Sequence, residues 1–205
     1  MRKGIGLLLI VAGLLIVFYP QLQKIAFDRD QKQLVASFEQ LGDTELLEQL
    51  SSNSDEAAVV QEYTQKNDEQ SKLLDGARGI MKIDKIDFEM VVFEGDSPAV
   101  LSKGIGMIEP EKEFGVNNIG LAGHRALSKG KQFNRLGELR VDDEIEVMTR
   151  KGIYNFVIVD TFVVHQSEVS VLKDTEEPLI TLVTCTPLGT ANPPDRLIVQ
   201  AKLKK

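Results

Sequence analysis

From Gly79 to the C-terminus the chain is a succession of short apolar, β-branched runs cut by turn residues, and this texture restricts the fold more than any other feature. The runs are Ile80–Ile83, Met90–Phe93, Asn118–Ala122, Glu144–Met148, Tyr154–Val164, Leu179–Thr184 and Leu197–Leu203. Seven strand-length segments separated by Gly, Asp and Asn predict a sandwich or barrel. Tyr154, Phe156 and Ile158 alternate with Asn155, Val157 and Val159, which predicts a strand buried in part on both faces. Pro98–Lys103 reads as a helical turn inserted between strands. With 205 residues in all, the chain has room for one folded domain, over 79–205, and appendages.

The upstream third has a different character. Met1, Arg2 and Lys3 precede an uncharged apolar run from Gly4 to Tyr19 that is closed by Pro20. As a helix the run measures about 24 Å, and Ile25, Ala26 and Phe27 extend it towards the ~30 Å of a bilayer core. No small-x-small cleavage site follows, so residues 1–27 are expected to be an uncleaved transmembrane anchor. The basic residues in front favour a cytoplasmic N-terminus, with the rest of the chain outside.

Residues 28–75 hold 4 basic and 12 acidic side chains, a net of -8, against -7 for the whole chain. The acidity therefore belongs to one segment, and only Lys202, Lys204 and Lys205 cluster as bases. That charge distribution argues against nucleic-acid binding. Leu34, Phe38 and Leu41, then Leu46, Leu47 and Leu50, follow helical spacing, and Asn53 with Glu56 marks a second helix start. Residues 28–78 are expected to form an acidic, partly helical stalk, extended by its own repulsion.

The chain has one cysteine and so no intrachain disulfide. In an exported domain a lone thiol invites a chemical role, although a small buried hydrophobe is the plain alternative. Thr181-Leu182-Val183-Thr184-Cys185-Thr186-Pro187 runs apolar up to the thiol and then meets Pro187 and Gly189, which end a strand close to Cys185. Arg196 opens the next run. If the two pair as antiparallel neighbours, Cys185 and Arg196 come within side-chain reach. A guanidinium keeps its charge and offers a fork of donors suited to an oxyanion.

A thiol nucleophile needs a proton partner, and histidine is the usual one. His124 ends the run Asn118–Gly123 at a strand terminus, whereas His165 is followed by Gln166, Ser167 and Glu168 in a surface pattern. His124 is the candidate acid/base.

Leu182-Val183-Thr184-Cys185 with Arg196 downstream and Gly123-His124-Arg125 upstream resembles the sortases over roughly residues 79–203. The resemblance implies a closed eight-stranded β-barrel with short helical insertions, outside a Gram-positive membrane. It implies a cysteine transpeptidase that cuts a Leu-Pro-x-Thr-Gly-like sorting signal of surface proteins after Thr. The acyl group then passes to an amine of a peptidoglycan precursor or a pilin.

Carried over by position, Cys185, His124 and Arg196 are the catalytic residues, and the hydroxyl or backbone of Thr184 adds an oxyanion donor. Ile105, Met107 and Ile108 are candidates to line a groove for the substrate's Leu-Pro, burial in the core being the commoner fate of such residues. Arg125 is expected on the surface. The stretch Leu74–Arg78 lacks the Asp-Pro-aromatic lid of pilus-building members, and Gly123-His124-Arg125 with Asn192–Arg196 looks most like class D. Some members bind calcium beside the histidine strand. Here only Glu109 falls at such a ligand position, so Glu109, Glu111 and Glu113 are expected to be a solvated acidic loop without a metal. No cofactor is implied, because a thioester conserves the amide's energy. A hydrolytic cysteine peptidase and a non-enzymatic anchored wall-binding domain are the rival readings.

Overall fold

The computed structural model describes residues 14, 18–19, 21–23, 25–40, 72–125, 132–190 and 192–204. Eight strands close into a barrel: β1 (Ala77–Ile83), β2 (Phe88–Glu94), β3 (Ile105–Met107), β4 (Asn118–Ala122), β5 (Glu144–Thr149), β6 (Gly152–His165), β7 (Leu179–Thr186) and β8 (Asp195–Leu203). Around the barrel they run β1-β2-β3-β4-β7-β8-β6-β5, and β5 pairs back with β1. Closure leaves no sheet edge to protect, so strands this short can be stable. Most pairs are antiparallel, but β2–β3 and β4–β7 are parallel.

All seven expected strands form. The eighth, β3, is a strand that periodicity does not reveal, since Ile105-Gly106-Met107 is too short to show a period and has glycine at its centre. The glycine is needed there: a Cβ at Gly106 would meet the Gly95 carbonyl oxygen at 2.4 Å. The expected helical turn is α2 (Pro98–Lys103), capped by Ser97, whose hydroxyl accepts from the Val100 N–H, with Pro98 in the first turn.

One parity of each strand fills the interior. Met81, Ile83, Met90, Val92, Ile105, Met107, Ile119, Leu121, Val147, Phe156, Ile158, Leu182 and Val199 all belong to one buried cluster. In β6 only Phe156 and Ile158 are fully covered, and a register shift between Ile158 and Asp160 breaks the alternation. The burial of that strand is therefore more one-sided than its sequence suggests.

The second face of β1 and β2 is covered as well. A helix described over 21–23 and 25–40, here α1, lays Val35 and Phe38 against Ile80, Val91, Phe93 and Leu74. Gln31 Nε2 donates to the Lys103 carbonyl at 2.6 Å, and the Arg150 guanidinium lies 5.9 Å over the Phe38 ring. Burying a Val or Phe stabilises by about 1.5–3 kcal/mol each. Residues 25–40 are thus a docked helix and not a self-repelling spacer, because the apolar stripe inside the acidic segment finds an apolar sheet face. The unbroken apolar run of β2 has the same cause. Among the described residues no helix is long and apolar enough to cross a membrane. Most of the expected anchor, and the expected second stalk helix from Asn53, lie outside the described residues.

Candidate active site

The β7–β8 register settles the first juxtaposition: Cys185 is the cross-strand partner of Arg196, and Thr186 of Asp195. On the other side β7 runs parallel to β4, with Ala122 opposite Val183, and the Gly123 N–H continues that ladder to the Val183 carbonyl at 3.2 Å. His124 lies two residues beyond Ala122, past the end of β4, as Cys185 lies two beyond Val183 on β7, so both stand at the same end of this parallel pair. Gly123 permits this approach. A Cβ there would meet Phe133 Cδ2 at 2.7 Å and Ile105 Cδ1 at 2.9 Å.

Cys185, His124 and Arg196 line one cleft of about 390 Å3 on the barrel's outer surface. Its floor is the outward parity of the central strands, Ala122, Val164, Val183 and Ile198. Its walls are Leu101 and Ile108 on one side and the 3-10 turn Val169–Leu172 on the other. A larger recess, about 620 Å3, lies between α1 and the start of β2, but neither cysteine nor histidine lines it.

Arg196 is held by its surroundings. Its Nη1 donates to the carbonyls of Pro193 at 2.8 Å and Asp195 at 2.9 Å, and its Nη2 donates to Gln166 Oε1 at 3.0 Å. Three hydrogen bonds leave two of the guanidinium's five N–H groups without a partner among the described residues, and Arg196 lines the cleft.

Other expected site residues need correction. The Thr184 hydroxyl donates to the Gly123 carbonyl at 2.7 Å in a buried position, so it braces the histidine segment and cannot donate to an oxyanion. Ile105 and Met107 take the commoner fate and are fully buried in the core, because β3 turns both inward, whereas Ile108 lines the cleft as expected, joined by Leu101. Arg125 is not a free surface side chain: its Nη1 donates to the Cys185 carbonyl at 3.3 Å and to Thr186 Oγ1 at 2.8 Å. His165 is exposed as expected, yet it too lines the cleft, its Nδ1 2.8 Å from Ser167 Oγ. The contacts of Thr184 and Arg125 and the place of His165 in the cleft were not legible from spacing, since they depend on which strands become neighbours.

The acidic loop before β4 is only partly solvated. Lys112 Nζ lies among four oxygens: Glu109 Oε2 at 2.8 Å, Asp174 Oδ1 at 3.3 Å, and the carbonyls of Leu172 at 2.9 Å and Asn118 at 3.2 Å. Burial works against that charge, but hydrogen bonds to the carboxylates of Glu109 and Asp174 outweigh it and hold Lys112 above its ordinary value. The Asn118 N–H, then Lys112 and Asn117, hold the Asp174 carboxyl below its own. Asn118 Nδ2 adds bonds to the carbonyls of Val171 and Lys173. The ammonium thus ties the cleft's wall to the loop before β4. These residues do not suit a divalent cation, because a fixed positive charge already lies among the oxygens. Among the described residues no three His, Cys, Asp or Glu side chains are grouped to hold a metal.

Comparison with known proteins matches this architecture. A Sortase domain family model covers residues 81–204. Sortase D of Bacillus subtilis is 30% identical over 98% of this chain and 98% of its own length. Sortase A of Listeria monocytogenes is 22% identical over 90% of this chain and 84% of that protein. The solved structure of a Clostridium perfringens Sortase D5 transpeptidase superposes with a TM-score of 0.61 at 27% identity, over 86% of this chain and 99% of that one. The matched span contains every strand that borders the cleft, and on that extent of agreement the chain belongs to the sortase family of cysteine transpeptidases.

Proposed function

We propose that Cys185 is the nucleophile, His124 the acid/base and Arg196 the oxyanion partner of a transpeptidase that cuts a Leu-Pro-x-Thr-Gly-like sorting signal of surface proteins. One observation carries this reading: the cross-strand pair Cys185 and Arg196, with His124 at the end of the strand parallel to β7, lines a single cleft. The Cys185 thiolate adds to the threonyl carbonyl, and the oxyanion faces the two uncommitted N–H groups of Arg196. Collapse of that intermediate breaks the C–N bond as His124 gives its proton to the departing amine. A thioester remains. An amine of a peptidoglycan precursor or pilin then attacks it, loses a proton to His124 and releases the thiolate.

The same reading makes residues 1–27 a single-pass anchor with a cytoplasmic N-terminus, holding the barrel outside the membrane of a Gram-positive cell. Leu14, Phe18, Tyr19, Leu22 and Ile25 are exposed in the described part of that segment, which supports a lipid contact. The end-to-end similarity to a Sortase D and a Sortase D5 supports class D.

The test is mass spectrometry of the barrel domain with Leu-Pro-x-Thr-x peptides and a cell-wall amine. A thioester adduct on Cys185 that the amine resolves into a conjugate is the expected outcome. Hydrolysis that dominates at saturating amine makes the protein a peptidase instead.

A further inference from the structure

We infer that Arg125 is a positioning residue that completes the β4–β7 seam beneath the nucleophile, an inference that rests on Cys185 being that nucleophile. Alternate carbonyls of a strand point to the same side. The Val183 carbonyl accepts from the Gly123 N–H, so the Cys185 carbonyl also faces the β4 side. But β4 has ended at Ala122, and among the described residues no backbone N–H continues the ladder to that carbonyl.

Arg125 supplies the missing donor from its side chain, with Nη1 to the Cys185 carbonyl at 3.3 Å and to Thr186 Oγ1 at 2.8 Å. The guanidinium is confined: a Cβ at Gly137 would stand 3.4 Å from Nη2, and the Nε–H is buried without a partner among the described residues. Three successive links therefore join the histidine segment to the nucleophile strand: Gly123 N–H to Val183, Thr184 hydroxyl to Gly123, and Arg125 to Cys185 and Thr186. Since Arg125 directly follows His124, the last link fixes imidazole and thiol relative to each other. Alignment of that kind acts on turnover more than on binding.

Arg125→Met, Arg125→Lys, Thr186→Val and the double variant R125M/T186V test the clamp. A charge-assisted hydrogen bond of this kind is worth on the order of tenfold to a hundredfold in rate. R125M is expected to lower kcat by that factor with KM within about twofold, R125K to recover part of it, and T186V to lose less. Because both residues act through one contact, the double variant is expected to be no worse than R125M alone. Alkylation of Cys185, the chain's one cysteine, by iodoacetamide needs no substrate. It is expected to slow in R125M, as the thiol loses its setting beside the imidazole. If the wild-type chain forms no acyl-enzyme, the proposed function fails while alkylation still reads the clamp. Strictly additive losses, a rise in KM at constant kcat, or unchanged alkylation would each overturn the inference. If R125M does not fold, T186V decides: wild-type turnover in it has the same meaning.

Discussion

Strands β7 and β8 carry two faces that differ in what they do. The inward parity, Ile180, Leu182 and Thr184 with Leu197, Val199 and Ala201, is exposed by 7% or less and is apolar but for one satisfied hydroxyl. The outward parity, Thr181, Val183 and Cys185 with Arg196, Ile198 and Gln200, forms the cleft floor and its polar surround. Adjacent residues of one strand thus serve stability and chemistry separately, because successive side chains point to opposite faces. Under the proposed function, activity and stability separate by sequence parity over a few residues.

Substitutions on either side of that division sharpen it. Cys185→Ala is expected to abolish acyl transfer while the thermal midpoint stays close to wild type. Leu182→Ala, three residues away on the inward face, opens a cavity worth about 2–5 kcal/mol and lowers the midpoint by on the order of 10 °C. Differential scanning calorimetry beside a peptide-transfer assay separates the two. Loss of folding in the alanine variant at 185 would erase the division.

A smaller effect is expected at Arg196, whose guanidinium is fixed by Pro193, Asp195 and Gln166. Arg196→Lys keeps the charge but not the planar fork, and turnover should fall by on the order of a hundredfold with KM little changed. Steady-state kinetics with a single peptide checks this, and equal changes in both constants would point to a binding role.

The smallest effect concerns the wall of the cleft. Lys112→Met removes the ammonium that ties Leu172 and Asp174 to Glu109 and Asn118, so the turn Val169–Leu172 loosens. A several-fold rise in KM with kcat nearly held is the expected result.

The wild-type tie also has a pH window. Asp174 is held below its ordinary 3.8, first by the Asn118 N–H, so its contribution is full above 3.8 and is lost as pH falls through the lowered value. Lys112 is burdened by burial yet held above 10.5 by its carboxylate partners, so its contribution is full below 10.5 and is lost as pH rises further. Hydrogen exchange of amides 169–174 should be protected between those limits and faster beyond either, and a flat profile would remove the tie.

How much of this was legible beforehand follows the range of each interaction. Cys185, His124 and Arg196 could be picked out because strand ends are announced locally, by Pro187 and Gly189 after one run and by Gly123 at the end of another. The parity of Ile105 and Met107 could not be read, since three residues of β3 carry no period of their own. The contacts of the Thr184 hydroxyl and of Arg125 could not be read for a related reason: both reach across a parallel seam to partners about 60 residues away in sequence. The helical stripe through Phe38 was legible in the acidic segment, but its docking was not, because the partners of Val35 and Phe38 lie on β1 and β2.

The amino-acid order alone therefore determined the run of short strands, the helical turn at Pro98 and the strand ends beside Cys185, His124 and Arg196, all of which follow from local periodicity and backbone preference. Only tertiary structure decided that β4 lies parallel to β7, that Arg125 meets the Cys185 carbonyl, and that Lys112 sits among the oxygens beside the cleft. The physical reason is that pairing between distant strands is chosen by closure of the whole barrel, which no single segment encodes.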